Sequence, residues 1–252
     1  MKLTVLGLGC WGLVLTKLLT DNFDEITGWS RQSDLSEDLI LHKKVSKPFE
    51  IELDKKVKIT SDLNEAIKDA DIILLVVATS AIRAVCKQLK EAGIKDEQIL
   101  VNASKGLEQG SLKRMSEVIK DELPNQKIAI LSGPTLAKEV LEGQPTAACI
   151  ASYNIEDALK VQKLLSVKNK FRLYTNDDVI GVELGGSLKN VIAIAAGFID
   201  EMNFGDNSKG ALLTRGMAEI VRVSVHLGAN PSTLWGLSGM GDLIATCYSH
   251  LS

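Results

Sequence analysis

Lys2-Leu3-Thr4-Val5-Leu6-Gly7-Leu8-Gly9-Cys10-Trp11-Gly12 opens the chain and decides how the rest is read. Lys2 to Leu6 is a short apolar run that suits a buried strand. GxGxxG follows at once at Gly7, Gly9 and Gly12, and a helical pattern continues from Leu13 to about Thr20. In a strand–turn–helix of this kind the glycines let the backbone approach a pyrophosphate at a helix N-terminus. The motif alone also fits a tight turn with no ligand. Directly after an opening strand it predicts a dinucleotide site.

Strand–helix alternation continues outward from this point. The second strand spans Glu25 to Trp29 and ends in Ser30-Arg31, where an NAD-selective fold would carry Asp or Glu for the ribose 2′-hydroxyl. An arginine there can stack on adenine and pair with a 2′-phosphate, which favours NADPH over NADH, although Arg31 also fits a solvated loop charge. Residues 34–56 read as an irregular polar surface excursion. Val57–Thr60, Asp71–Ala78, Ile99–Ala103, Lys127–Leu131, Thr146–Ala151 and Phe171–Tyr174 read as further strands. Helices are expected from Ser61, from Thr79 to Ala92, over Ser111–Glu122, from Pro134, and over Ile155–Leu165. Lys105 follows the Ile99 strand and precedes a glycine, so it stands at the edge where open α/β sheets bind ligands. Ser132-Gly133-Pro134-Thr135 leads from the next strand into a helix, and its N–H groups and hydroxyl can hold a polar or anionic group.

The alternation stops near residue 174, and a longer apolar segment follows, Asn176 to Asn203. It reads as one helix capped by Asn176 or Asp177, with most of it buried because its apolar residues, among them Val191, Ile192, Ile194 and Phe198, are spread all round. Lys189 is the one basic residue inside it, and Gly185, Gly186, Ala193, Ala196 and Gly197 share its face. Two glycines in a helix interior cost roughly 2 kcal/mol relative to alanine, so something must need the room. Either Lys189 projects into a cavity where a ligand or another domain approaches, or it snorkels from a packed helix. Helices over Ser208–Leu227 and Pro231–Leu234 follow. A glycine-dense turn then leads to Asp242, which either caps a helix or faces the cleft. The fold class is therefore α/β: an N-terminal Rossmann-type, mostly parallel sheet domain over 1–174, then an all-α domain over 175–252. The second reads as truncated, because it ends without a closing helix. The cleft between the sheet's C-terminal edge and the helical half is the expected ligand site.

Composition narrows the function classes. At 252 residues, 45 % hydrophobic and 24 % charged, the chain is an ordinary globular protein. A net charge of −3 gives no electrostatic case for nucleic acid or an anionic membrane. Cys10, Cys86, Cys149 and Cys247 lie far apart with no histidine cluster, which argues against zinc and disulfides and for a reducing cytoplasm. No window is expected to supply the roughly 20 apolar residues of a membrane span.

With these pieces placed, the chain resembles the bacterial NAD(P)-dependent glycerol-3-phosphate dehydrogenases over essentially its whole length. The resemblance rests on GxGxWG at Gly7–Gly12, SKG at Ser104–Gly106, SGPTLAKEV at Ser132–Val140, ELGGSLKNVIAIAAG at Glu183–Gly197 and GLSGMGDLIATCYS at Gly236–Ser249. It implies that Lys189 is the catalytic proton acceptor and that Lys105 meets both cofactor and substrate. It places Gly133, Thr135 and Asp242 at the glycerol phosphate, with Ser252 near its edge, and Cys10, Trp11 and Ala137 at the cofactor. Cys10 stands where the family more often has serine, and the family's pattern continues after the serine matching Ser252 with an arginine that grips the substrate phosphate. The reaction implied is reversible reduction of dihydroxyacetone phosphate to sn-glycerol 3-phosphate with NADPH or NADH, supplying phospholipid synthesis from a cytoplasmic homodimer. Lys189 would protonate the developing C2 alkoxide, its pKa lowered by burial and by Lys105, with Asp242 opposing that shift. Two rivals are a related two-domain hydroxy-acid or hydroxyacyl dehydrogenase and a non-catalytic dinucleotide-binding module.

Overall fold

The computed structural model describes residues 1–249. In chain order its strands are β1 (Lys2–Leu6), β2 (Glu25–Trp29), β3 (Lys44–Val45), β4 (Ile51–Glu52), β5 (Lys58–Thr60), β6 (Ile72–Leu75), β7 (Ile99–Asn102), β8 (Lys127–Ser132), β9 (Thr146–Ser152) and β10 (Phe171–Asn176). Its helices are α1 (Cys10–Leu18), α2 (Leu63–Ile67), α3 (Ile82–Glu91), α4 (Met115–Glu122), α5 (Ala137–Leu141) and α6 (Ile155–Leu165). They are followed by α7 (Val179–Glu201), α8 (Asp206–His226), α9 (Pro231–Leu234) and α10 (Asp242–Tyr248).

Eight strands form one sheet in the order β10-β9-β8-β7-β6-β1-β2-β5, while β3 and β4 make a separate two-stranded ribbon. Within the large sheet every pairing is parallel except β8 with β9. The middle strands β6 and β7 are buried along their whole length, as near-continuous apolar runs covered on both faces should be. One core lies under α1, α5 and α6 and includes Leu13, Val14, Val140 and Val161; the other lies under α3, α4 and the start of α7 and includes Val85, Leu89, Val118 and Val182. From β1 the chain builds outward through β2 to β5, then returns to β6 on the other side and builds to β7 and β8. The Gly7–Gly12 turn thus sits at the switch point of the sheet, where open α/β folds bind ligands.

The helical half packs α7, α8, α9 and α10 around Ala196, Leu213, Met217, Ile220, Leu234 and Leu243. The cap of α7 is Asp178, whose carboxylate accepts the Gly181 N–H at 2.8 Å, rather than Asn176 or Asp177, because β10 runs on through Asn176. Only the first half of α7 meets the sheet. In the second half Val191, Ile194 and Phe198 are 68 %, 65 % and 67 % exposed, so the expectation that most of this helix is buried fails there. These residues, with Met202, form a stripe at helical spacing on the side turned away from α8 and α10. Gly197 is likewise exposed, with nothing within 4 Å of a Cβ built on it, so it does not share the packed face of Lys189. By length and composition α7 is apolar enough to cross a membrane, with mean hydropathy 1.5, where no such window was expected. Half of that window is buried inside the protein and it carries Glu183 and Lys189 on polar partners, which are features of a core helix.

Other departures are local. α1 begins at Cys10, a turn earlier than its apolar pattern suggests, because Gly9 serves as the N-cap. α4 starts at Met115 rather than near Ser111, since Glu108 to Arg114 forms a turn closed by a Leu107–Arg114 bridge. α5 starts at Ala137, leaving Pro134 in the turn before it. Residues 34–56 are not wholly a surface excursion, because Leu39, Ile51 and Leu53 are buried in the core.

Candidate active site

The site is assembled at the junction between the sheet and the helical half. Lys105 follows β7, Gly133 and Thr135 follow β8, Lys189 lies on α7, and Asp242 opens α10. Asp242 is 2 % exposed and binds a lysine with each carboxylate oxygen. Its Oδ2 accepts Lys105 Nζ at 2.6 Å, and its Oδ1 accepts Lys189 Nζ. Lys105 Nζ also donates to the Gly133 carbonyl at 2.8 Å and lies 3.4 Å from Thr135 Oγ1. Lys189, 7 % exposed, donates to Thr246 Oγ1 at 2.6 Å, and that hydroxyl donates in turn to the Asp242 carbonyl at 2.7 Å. Lys189 therefore neither snorkels nor reaches bulk water. Two ammonium groups share one carboxylate, so the buried cluster carries a net positive charge.

Two adjacent glycines of α7, Gly185 and Gly186, make this approach possible. A Cβ on Gly186 would lie 2.5 Å from Ser132 Oγ and 3.5 Å from the Lys105 chain; one on Gly185 would lie 2.6 Å from the Ser238 carbonyl oxygen. The helix thus lies directly on the end of β8 and on the turn before α10. Burial draws the Lys105 amine down to about 8, Lys189 pushes in the same direction, and Asp242 resists.

At the switch point the residues fit a dinucleotide. Gly7 has φ +101°, and a Cβ there would lie 2.5 Å from the Val76 carbonyl just beyond β6. A Cβ on Gly12 would meet the Gly7 carbonyl at 1.9 Å, so α1 and β1 close tightly. Gly9, by contrast, has nothing within 4 Å, and no side chain caps α1, which leaves its first-turn N–H groups facing open ground above that glycine. Cys10 is half-buried, and burial pushes its thiol pKa up. Trp11 and Ala137 pack on the same core beside α1 and α5. Arg31 stands apart after β2, three-quarters exposed and paired at 2.8 Å with Asp34, a carboxylate close enough to compete for its guanidinium. Ser252 lies outside the described residues.

Comparison with known proteins decides the family. A sequence model of the NAD-dependent glycerol-3-phosphate dehydrogenase N-terminus matches residues 2–158, and one of the C-terminus matches 178–252. The chain belongs to the NAD-dependent glycerol-3-phosphate dehydrogenase family. It is 46 % identical over 252 residues to the glycerol-3-phosphate dehydrogenase [NAD(P)+] of Thermoanaerobacter sp. (strain X514), a match that covers 100 % of this chain and 76 % of that protein. It is 44 % identical over 252 residues to the enzyme of that name from Bacillus subtilis (strain 168), covering 98 % of this chain and 72 % of that protein. A crystal structure of glycerol-3-phosphate dehydrogenase from Coxiella burnetii superimposes with a TM-score of 0.92 at 34 % identity, covering 100 % of this chain and 77 % of that one. The Rossmann-type sheet followed by helices is thus the architecture of this family's solved structures.

Sequence reasoning missed Thr246 as a partner of Lys189. Its signal was there, since Asp242 and Thr246 are four apart and share a helix face. It also missed Glu183, whose 7 %-exposed carboxylate accepts the Ser116 N–H and hydroxyl at 2.8 and 2.6 Å and Arg114 at 2.8 Å. Nothing in the spacing of these residues joins them; only the docking of α7 on α4 does.

Proposed function

We propose that this chain reduces dihydroxyacetone phosphate to sn-glycerol 3-phosphate, reversibly, with NADPH or NADH. The observation that carries this reading is the Lys105–Asp242–Lys189 cluster, buried beside the end of β8. Family membership supplies the substrate class, and the cluster supplies a chemical reason for it. Its net positive charge suits an anionic phosphate ester, and a buried ammonium with a fixed partner suits proton transfer at a ketone oxygen.

In this proposal Gly7, Gly9, Cys10, Trp11 and Gly12, with Arg31, Lys105 and Ala137, hold the dinucleotide. When bound, the nicotinamide supplies the hydride. Lys189 holds the proton that passes from its Nζ to the C2 oxygen in reduction and returns in oxidation. Asp242 and Thr246 fix the direction of that ammonium, so little reorganisation accompanies transfer. Lys105, Gly133 and Thr135 make the polar wall that the triose meets. The division into a dinucleotide-binding part over 1–174 and a helical substrate part over 175–252 belongs to the same proposal.

A cytoplasmic homodimer is proposed as the working form. All four cysteines are free, which fits a reducing compartment, and the apolar stripe on α7 is a surface of the kind another chain covers. Sedimentation velocity tests the dimer.

The decisive assay follows NADPH oxidation by the purified chain with dihydroxyacetone phosphate. Turnover is expected, and Lys189→Ala is expected to lower it at least a thousandfold while leaving NADPH affinity, read by fluorescence, within a few-fold. Retained turnover in Lys189→Ala would remove that lysine from the chemistry.

A further inference from the structure

Ser187 lies on α7 two residues before Lys189. Its hydroxyl donates to the Glu183 carbonyl at 2.7 Å, and its oxygen accepts the Gly106 N–H at 3.0 Å. Gly106 follows Lys105 directly and has φ +142°, a conformation that side chains rarely adopt. One turn earlier on the same face, Glu183 is bound by Ser116 and Arg114 at the start of α4. Consecutive turns of α7 are therefore tied to the sheet half at two places, one of them the loop that carries Lys105. Neither tie touches Asp242, Thr246 or Lys189.

We infer that Ser187, backed by Glu183, is a positioning residue that holds the Lys105 loop at the distance from α7 at which one carboxylate, Asp242, spans both lysines. Without that tie, the loop keeps its anchors on the sheet side, where Ser104 bonds Asn102 and the Val77 carbonyl, and loses the one that fixes its spacing from α7. A loosened loop lets the amine move toward water and away from Lys189. The charged groups facing Lys105 are Asp242 from α10, Lys189 from α7, and Glu183 with its partner Arg114 across the small cavity lined by Ser104, Lys105, Ser132, Glu183 and Ser187. The inference rests on the functional reading above only for its effect on turnover; the geometry of the tie stands apart from it.

The test therefore has one arm that needs no substrate. Competitive acetylation of Lys105 across pH, read by peptide mass spectrometry, gives the titration of its amine in wild type, Ser187→Ala and Ser187→Thr. Wild type is expected to titrate near 8. Ser187→Ala is expected to titrate about one pH unit higher, and Ser187→Thr, which keeps the hydroxyl, to return to the wild-type value. In the kinetic arm Ser187→Ala loses about tenfold in kcat, and Ser187→Thr restores it. Thermal unfolding of all three shows that each is folded. An unshifted Lys105 titration in folded Ser187→Ala overturns the positioning role. So does an equal shift in Ser187→Thr, since the hydroxyl would then not be the cause. Should the titration shift as expected while wild type fails to reduce dihydroxyacetone phosphate, the tie stands and the functional reading falls.

Discussion

Gly185 of α7 faces the carbonyl oxygen of Ser238 so closely that a Cβ on the glycine would lie 2.6 Å from it. Contacts of that kind with backbone cannot relax by a side-chain rotation. Alanine at 185 gains about 1 kcal/mol of helix propensity, against an overpacking cost of about 1–3 kcal/mol and a displaced turn in front of Asp242. Gly185→Ala is therefore expected to be destabilised by about 1–2 kcal/mol in denaturant unfolding and to lose turnover. Gly186→Ala meets the Ser132 hydroxyl at 2.5 Å, a side-chain group with no hydrogen bond to lose, and the Lys105 chain only at an ordinary van der Waals distance of 3.5 Å, so its stability should stay within about 1 kcal/mol of wild type. A reversed order would mean that the turn, not the serine, yields.

Removing the carboxylate between the two lysines leaves two buried ammonium groups facing each other. Loss of one partner of a buried ion pair costs about 3–5 kcal/mol. Asp242→Asn should show a loss of that order, and Lys105→Met added to it should recover part, because one uncompensated charge goes with it. Denaturation of the two single variants and the double variant checks this; strict additivity would mean that Lys105 and Asp242 are not energetically coupled.

The Lys105 amine is held at about 8, below the 10.5 of a free lysine. Between those values the unfolded chain binds more protons than the folded one, so native stability rises with pH across that window. Relative to Lys105→Met, wild type should gain stability as pH climbs from about 8 to 10 and show no such trend below 7. Urea midpoints at pH 7, 8.5 and 10 suffice to measure it. A flat difference would leave Lys105 with an ordinary amine.

Thr246 accepts Lys189 and donates to the backbone one turn back. Thr246→Val keeps the shape and removes the acceptor, leaving an ammonium short of one hydrogen bond; bonds to charged groups are worth about 1.5–3 kcal/mol. Turnover should fall about tenfold or more, while Thr246→Ser should retain most of it. Steady-state kinetics of the two variants decide whether the hydroxyl steers the lysine.

Most of the sheet was legible in the sequence, because buried parallel strands must be apolar along their length and the stretches from Lys2, Ile72 and Ile99 are. Glycine positions were legible for a similar reason. Gly7, Gly12 and Gly185 stand where any side chain would collide with backbone, so the chain cannot hide that requirement. The sequence also singled out Lys189, Lys105 and Asp242 as polar residues at a strand end, on an apolar helix and in a glycine-rich turn. Burial on α7 was misjudged, because periodicity reports which residues are apolar and not which face finds a partner. Likewise, that one carboxylate spans two lysines 53 and 137 residues from it along the chain, and that Ser187 reaches Gly106, were settled only when α7 docked across β8. Distances of a few ångströms between remote segments are products of packing, and a linear order of residues does not contain them.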